Sequence, residues 1–330
     1  MMEIGNYCED IRMSRAFVIP DIHLKPWMID KAEERLSKVD YDIIVCLGDL
    51  VDDWNQQNNR KLYHETFDAI VAFAKRHQNM FFCYGNHDVS YLWEALETGY
   101  SPLAREIVLE GLDALKAALP PENVAYLHRF DNTIFSHAGL VSLFVEHFYP
   151  KATDLDTLLF QINSTAGEKE MWSDVSPIWV RPQDDNLPLY AEDMLQVVGH
   201  TPVKQAYLKD NLLSLDNFST YRNYQRIGDG HFVIVDTVKK TWEFVMYDLD
   251  GYKGICSGIP YEWHDKIDHA VIEIQYKGTI LTREVGHMTG PQFDMGIIGD
   301  ASEMMIELAI EQYEQEKKAR KILEVMKEYQ

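Results

Sequence analysis

The sequence predicts an α/β protein built on a largely parallel sheet, and three observations predict it. Apolar runs of strand length at 16–20, 42–47 and 80–84 alternate with segments of helical period at 30–38 and 60–77. Each run is followed at once by a polar cluster: Asp21-Ile22-His23, then Gly48-Asp49-Leu50-Val51-Asp52, then Gly85-Asn86-His87-Asp88. In a β-α-β-α-β chain with right-handed crossovers, the C-terminal ends of successive strands open on one sheet edge, so these clusters converge.

The elements follow in order. AFVIP at 16–20 is a short apolar run, and 30–38 reads as a helix. DIIVCL at 42–47 is apolar and rich in β-branched residues, as in a strand buried on both faces. Residues 60–77 set Leu62, Phe67, Ile70, Val71 and Ala74 at helical spacing, and MFFCY at 80–84 is a further strand. Helices are expected at 102–118 and 142–162, with a hairpin-like pair at 124–136 that runs into Ser136-His137-Ala138-Gly139-Leu140. LQVVG at 195–199 is a strand ending at His200, and 231–247 alternates apolar positions on two arms, as in a β-hairpin. Two more strands are expected within 270–286, then one long helix at 302–329. Ser302 suits its N-cap, and acidic Glu303, Glu307 and Glu311 precede basic Lys317, Lys318, Arg320 and Lys321, in accord with the helix dipole. The polar clusters stop near 250, which sets the chain up to there apart from a C-terminal strand-and-helix extension at 251–330. The long helix carries apolar groups at Met304-Met305-Leu308 and Ile322-Leu323-Met326, suited to docking on the domain or on a second copy in a homo-oligomer.

At 330 residues, with 46% hydrophobic and 25% charged, the chain has ample material for a core. Its 31 basic and 53 acidic side chains give a net charge of −22, which argues against gripping duplex nucleic acid or an anionic membrane surface. A phosphorylated substrate is still compatible with that charge if cations offset the field locally. Cys8, Cys46, Cys83 and Cys256 show no C-x-x-C spacing, so neither a disulfide framework nor a thiolate zinc site is expected. The first residues lack an apolar signal core and no run approaches a membrane span, which predicts a soluble, cytoplasmic chain.

Seven positions carry the chemistry: Asp21, His23, Asp49, Asn86, His87, His137 and His200. Carboxylate, amide and imidazole without thiolate suit first-row divalent cations, manganese first and iron or zinc next. Asp21 and His23, two apart at a strand end, leave on one face and can reach one ion. Asp49 ends the next strand, where a carboxylate can bridge two metals. His64, His77, His128, His147, His264 and His269 are read as structural or solvated. Trp54 and Tyr84 flank the clusters, suited to ring stacking or to packing, and Arg222, Arg226 and His231 are candidate substrate contacts.

In these blocks, DIH, GDLVD, GNHD, SHAG and GHTP, the sequence resembles the calcineurin-like metallophosphoesterases, and within them the phosphoprotein phosphatase branch with its bacterial and phage relatives. The resemblance spans about 15–250 and implies a β-sandwich of two mixed sheets flanked by helices, with two divalent metal ions at the sheet edge. It implies Asp21, His23 and Asp49 as ligands of the first metal, and Asp49, Asn86, His137 and His200 as ligands of the second. It also implies His87 as the acid that protonates the leaving oxygen and Asp52 as the carboxylate orienting it. The expected reaction is hydrolysis of a phosphomonoester, a phosphoprotein above all, by a metal-bridging hydroxide. The sequence departs from the pattern at one point. Where GD-x-x-D-R-G has a phosphate-gripping arginine, GDLVDDW has Asp53. A second such arginine, expected in a W-x-R setting, falls on Arg181 of Trp179-Val180-Arg181, with Trp172-Ser173-Asp174 as a competing phrase.

SHAGL and VVGHTPV also resemble symmetric dinucleoside-tetraphosphate hydrolases, so a dinucleoside polyphosphate or nucleotide phosphodiester hydrolase is the alternative. A non-catalytic binding scaffold is the third reading. Retention of all six expected ligands and of the His87–Asp52 pair counts against it.

Overall fold

The computed structural model describes residues 15–185, 187–222, 227–245, 248–249, 252–253, 270–276, 279–285, 313–315 and 317–318. The chain order is β1 (Arg15–Ile19), α1 (Trp27–Leu36), β2 (Ile43–Cys46), α2 (Arg60–Arg76), β3 (Met80–Cys83), α3 (Asn86–Trp93), α4 (Arg105–Ala118), β4 (Val124–Ala125), β5 (Leu127–Phe130) and β6 (Thr133–Ser136). There follow α5 (Ser142–Phe148), α6 (Leu155–Thr165), α7 (Glu168–Met171), α8 (Pro182–Asp185), β7 (Leu195–Val198), β8 (Tyr207–Lys209), β9 (Leu212–Ser214), β10 (Val233–Asp236) and β11 (Thr241–Phe244).

These strands form two mixed sheets, ordered β11-β10-β1-β2-β3-β4 and β5-β6-β7-β9-β8. The first is parallel from β1 to β4, with β10 antiparallel to β1; the second is parallel across β6, β7 and β9. Alternation within the strands explains the layering. Ala16, Val18, Ile43, Val45, Val233 and Val235 of the first sheet share a buried cluster with Phe135, Leu195, Val197 and Leu213 of the second. The opposite set, Phe17, Ile19, Ile44, Cys46 and Phe82, packs with Met28 and Ile29 of α1, Phe67, Ile70 and Phe73 of α2, and Val108, Leu112 and Leu115 of α4. Both faces of β1 and β2 are therefore covered, which is why those runs are apolar throughout.

The sandwich is the architecture expected from the sequence, with local differences. The single helix expected at 142–162 is two, because Pro150 disfavours helical backbone at Tyr149 (φ −130°, ψ 45°) and Asp154 then caps α6 by accepting from Thr157 N. The pair expected at 124–136 is divided between sheets: β4 pairs with β3, whereas β5 turns back on β6. A hairpin not foreseen joins β8 to β9 through Asp210 and Asn211, both left-handed at φ 49° and 62°. β14 (Ala270–Tyr276) and β15 (Thr279–Val285), the two strands expected within 270–286, pair antiparallel beside β12 (Asp248–Leu249) and β13 (Tyr252–Lys253). Of the helix expected at 302–329, residues 313–315 and 317–318 are helical and the rest lies outside the described residues. Among the described residues no helix is long and apolar enough to cross a membrane.

Candidate metal centre

Five strand ends deliver the site. β1 leads to Asp21 and His23, β2 to Asp49, β3 to Asn86 and His87, β6 to His137 and β7 to His200. His23, Asp49, Asp52 and His200 take left-handed backbone (φ 44°, 47°, 64° and 61°), a strained conformation for such residues that the surrounding structure enforces. Two glycines let the backbone come close. A Cβ at Gly85 would stand 2.1 Å from Asp49 Oδ1, and one at Gly199 would stand 1.9 Å from Asp21 Oδ1.

Asp49 lies at the middle. Its Oδ2 is 3.2 Å from His137 Nε2 and 3.6 Å from His23 Nε2. His137 Nε2 is also 3.0 Å from Asn86 Oδ1 and 3.1 Å from His200 Nδ1. Each of the three imidazoles is anchored by its other nitrogen to a carbonyl: His23 Nδ1 on Asp52 O at 2.8 Å, His137 Nδ1 on Leu47 O at 2.8 Å, and His200 Nε2 on Trp179 O at 3.0 Å. A carbonyl accepts only, so the anchoring nitrogen carries a proton, and in the neutral form of each ring, the form that binds a metal, the facing nitrogen presents a lone pair. Donor atoms of His23, Asp49 and His87, and of Asp49, His137 and His200, lie in two groups within 4.8 Å.

These residues fit cations. Asp21, 1% exposed, accepts from His200 N at 2.9 Å through Oδ2, while its Oδ1 is buried with no partner. Burial, then the nearby Asp216 carboxylate, pushes the Asp21 carboxyl well up. Burial also pulls His200 well down, with His137 adding to it. Burial would raise Asp49, but the histidines His137 and His87 hold it well below the usual carboxylate range. A buried carboxylate oxygen without a partner, beside imidazole nitrogens that face one another, is costly unless positive charge sits between them.

His87 stands apart in its bonding. Its backbone N–H donates to Asp49 Oδ1 at 3.0 Å and its Nδ1 lies 3.1 Å from Asp52 Oδ2. Burial works against the imidazolium, yet Asp49 and the Asp52 hydrogen bond raise His87 to about 9. Asp52 is in turn held by the hydroxyls of Tyr63, at 2.7 Å, and Tyr91.

Several site residues were not singled out from the sequence. Asp88 accepts from Asp49 N, Leu50 N and Gly85 N at 2.8, 2.9 and 2.9 Å, which ties the second and third strand ends together. Its place in the GNHD block was the available signal. Asp216, 1% exposed with an unpartnered Oδ1, is a further buried carboxylate. Lys25 lies two residues past His23, its Nζ 3.1 Å from His23 O and 3.5 Å from Asp53 Oδ2.

A cleft of about 400 Å³ opens over the centre, lined by His23, Lys25, Asp49, His87 and Arg181 among others. Arg181 Nη1 donates to His200 O at 3.1 Å and to Thr201 Oγ1 at 3.0 Å. Of the two tryptophan phrases, it is Trp179 that meets the centre, its ring 5.9 Å from that of His200, and Trp172 packs behind it at 5.1 Å. Trp54 lines the cleft but its Nε1 donates to Thr220 O at 2.7 Å and the Arg222 guanidinium covers its ring at 4.8 Å. Tyr84 packs on Phe82 and Tyr126, His231 pairs with Asp229 at 3.2 Å, and Arg226 lies outside the described residues.

Mutually repelling buried carboxylates, imidazole nitrogens that face one another and a cleft opening above them fit a metal-dependent phosphoesterase, a hydrolase of phosphate esters. The particular family is equally plain: the model of the calcineurin-like phosphoesterases matches residues 14–234, and the chain belongs to that family. No curated protein sequence matches the chain. Among solved structures, a protein serine/threonine phosphatase from Saccharomyces cerevisiae is 14% identical, with 87% of this chain and 84% of that one covered and a TM-score of 0.41. A metallophosphoesterase from Sphaerobacter thermophilus is 14% identical, covering 71% of this chain and 88% of that one at a TM-score of 0.33.

Proposed function

We propose that the protein is a dinuclear metal-dependent phosphomonoesterase that cleaves phosphate esters of alcohols, as serine/threonine protein phosphatases do. Asp21, His23 and Asp49 would hold one cation, and Asp49, Asn86, His137 and His200 the other, with manganese the first choice for this donor set. Such cations supply Lewis acidity toward phosphate oxygens and make water a nucleophile near neutral pH. The catalytic part is assigned to 15–250 and the extension to 251–330.

The observation that carries this reading is the His87–Asp52 pair, 3.1 Å apart at the edge of the cleft. An alkoxide leaves poorly unless it is protonated, whereas a nucleotide phosphate leaves with little help. An imidazole held by a carboxylate, with that carboxylate fixed by Tyr63 and Tyr91, supplies the proton an alcohol needs. Arg181 adds positive charge for the phosphate oxygens on the same wall.

The test is a manganese-supplemented activity panel of phosphopeptides, mononucleotides and dinucleoside tetraphosphates. Phosphomonoesters are expected to be turned over best. A preference for dinucleoside tetraphosphates would overturn the monoester reading in favour of anhydride hydrolysis, and silence on every substrate would favour a binding scaffold.

A further inference from the structure

Asp53 stands where phosphatases of similar sequence carry an arginine, and a bare carboxylate there would repel the substrate. The structure gives that carboxylate a counter-charge. Its Oδ2 lies 3.5 Å from Lys25 Nζ, and its Oδ1 accepts from Trp54 N at 2.7 Å, which fixes the carboxylate. Lys25 itself is 6% exposed, an unusual burial for a lysine, and it lines the same cleft as Asp49, His87 and Arg181. An ammonium has three N–H donors. One meets His23 O at 3.1 Å and the charge is paired with Asp53, which leaves donor capacity in the cleft. Desolvating an ammonium costs several kcal/mol, which the His23 carbonyl and the Asp53 carboxylate offset.

We infer that Lys25, oriented by Asp53, is a phosphate-binding residue of this site and offers the phosphate an ammonium N–H donor where the resembled pattern has an arginine. The inference rests on the phosphoesterase reading above. On this account the departure at Asp53 is compensated rather than disabling: the cation reaches the phosphate from the first strand end, and Asp53 orients it. Lys25 and Arg181 then approach the anion from the β1 and β7 sides of the cleft, Arg181 through its bonds to His200 and Thr201.

The experiment is titration of the full-length, manganese-loaded protein with inorganic phosphate by calorimetry, with bound metal counted in the same samples. Lys25→Met is expected to weaken phosphate binding about tenfold or more with the metal count unchanged. Lys25→Gln, which keeps a donor for His23 O without the charge, is expected to be as weak. Adding Asp53→Asn to Lys25→Met is expected to recover part of the loss, because the unpaired carboxylate goes with it. Wild-type affinity in Lys25→Met or in Lys25→Gln would overturn the inference, and so would loss of metal in both, since Lys25 would then be bracing His23. Wild-type protein that holds manganese yet takes up no phosphate would overturn the phosphoesterase reading as well.

Discussion

His137 and His200 meet nitrogen to nitrogen, with Nε2 of one 3.1 Å from Nδ1 of the other, while the opposite nitrogen of each ring is bonded to a backbone carbonyl. With the carbonyl bonds in place, the two neutral rings face each other lone pair to lone pair, an arrangement that a bound cation stabilises. Purified protein is therefore expected to contain about two divalent ions, and His200→Ala to lose at least one, as counted by mass spectrometry. Chelation should lower the melting temperature, since bound metal stabilises by ~4 kcal/mol at roughly a thousand times its Kd. Unchanged metal content in His200→Ala would contradict the assignment.

The approach of Gly199 to Asp21 gives a sharper test. A Cβ there would sit 1.9 Å from Asp21 Oδ1 and 3.0 Å from its Cγ. Gly199→Ala is expected to displace the Asp21 carboxylate and weaken the cation site that Asp21 would share with His23 and Asp49 by about tenfold or more. Manganese titration with a fluorescent competitor measures it, and wild-type affinity would show that Asp21 has no part in holding metal.

Arg181 has already spent Nη1 on His200 O and Thr201 Oγ1, so its guanidinium is fixed beside the centre. Arg181→Ala is expected to raise KM for p-nitrophenyl phosphate about tenfold with a smaller change in kcat. Arg181→Lys should not restore it, because an ammonium cannot hold both acceptors and the substrate in one plane. An unaltered KM would place the phosphate contact elsewhere.

The seven chemistry-bearing positions were legible because each follows an apolar strand, and a strand buried on both faces must end where its polar neighbours emerge. Partners that reach the site across the fold were not. Tyr63 and Tyr91 lie on helices α2 and α3, where their aromatic character reads as core, and only the folded chain shows their hydroxyls on Asp52. Asp216 sits in the LSLDNF run after β9, a strand of three residues that is too short to declare itself by pattern. Lys25 carries no signal in the sequence, and only the folded chain shows its pairing with Asp53. The break at Tyr149 is different, since Pro150 was there to be read.

His128, read from sequence as a bland histidine, makes a prediction about stability. It is buried beside Phe81 and Phe130, with Nε2 on Phe82 O at 3.0 Å, and burial pulls it down to about 4. The unfolded chain, with an ordinary histidine, binds the proton first as pH falls. Stability from this group is thus full above about 6.5 and is lost between there and about 4, amounting to about 2 kcal/mol at pH 5. Urea denaturation at several pH values should show this slope in wild-type protein and a shallower one in His128→Gln. Identical slopes would mean the ring is hydrated in the folded state.

The proton donor proposed above is His87. His87 Nδ1 faces Asp52, so Nε2 is the atom free to protonate a departing oxygen, and the two tyrosine hydroxyls on Asp52 keep the ring from turning. General acid help is worth about a hundredfold or more when the leaving group is a poor one and little when it is good. His87→Asn is therefore expected to slow hydrolysis of a phosphoserine peptide by ~100-fold or more while changing kcat on p-nitrophenyl phosphate far less. Asp52→Asn should show the same dependence on leaving group with a smaller loss, because it disturbs the orientation of the ring and leaves its nitrogen in place. Both substrates must be compared at saturating manganese, which separates a lost proton from a lost cation. Equal losses on both in His87→Asn would remove the histidine from proton transfer and leave it a support for Asp49, whose Oδ1 accepts the His87 backbone N–H at 3.0 Å.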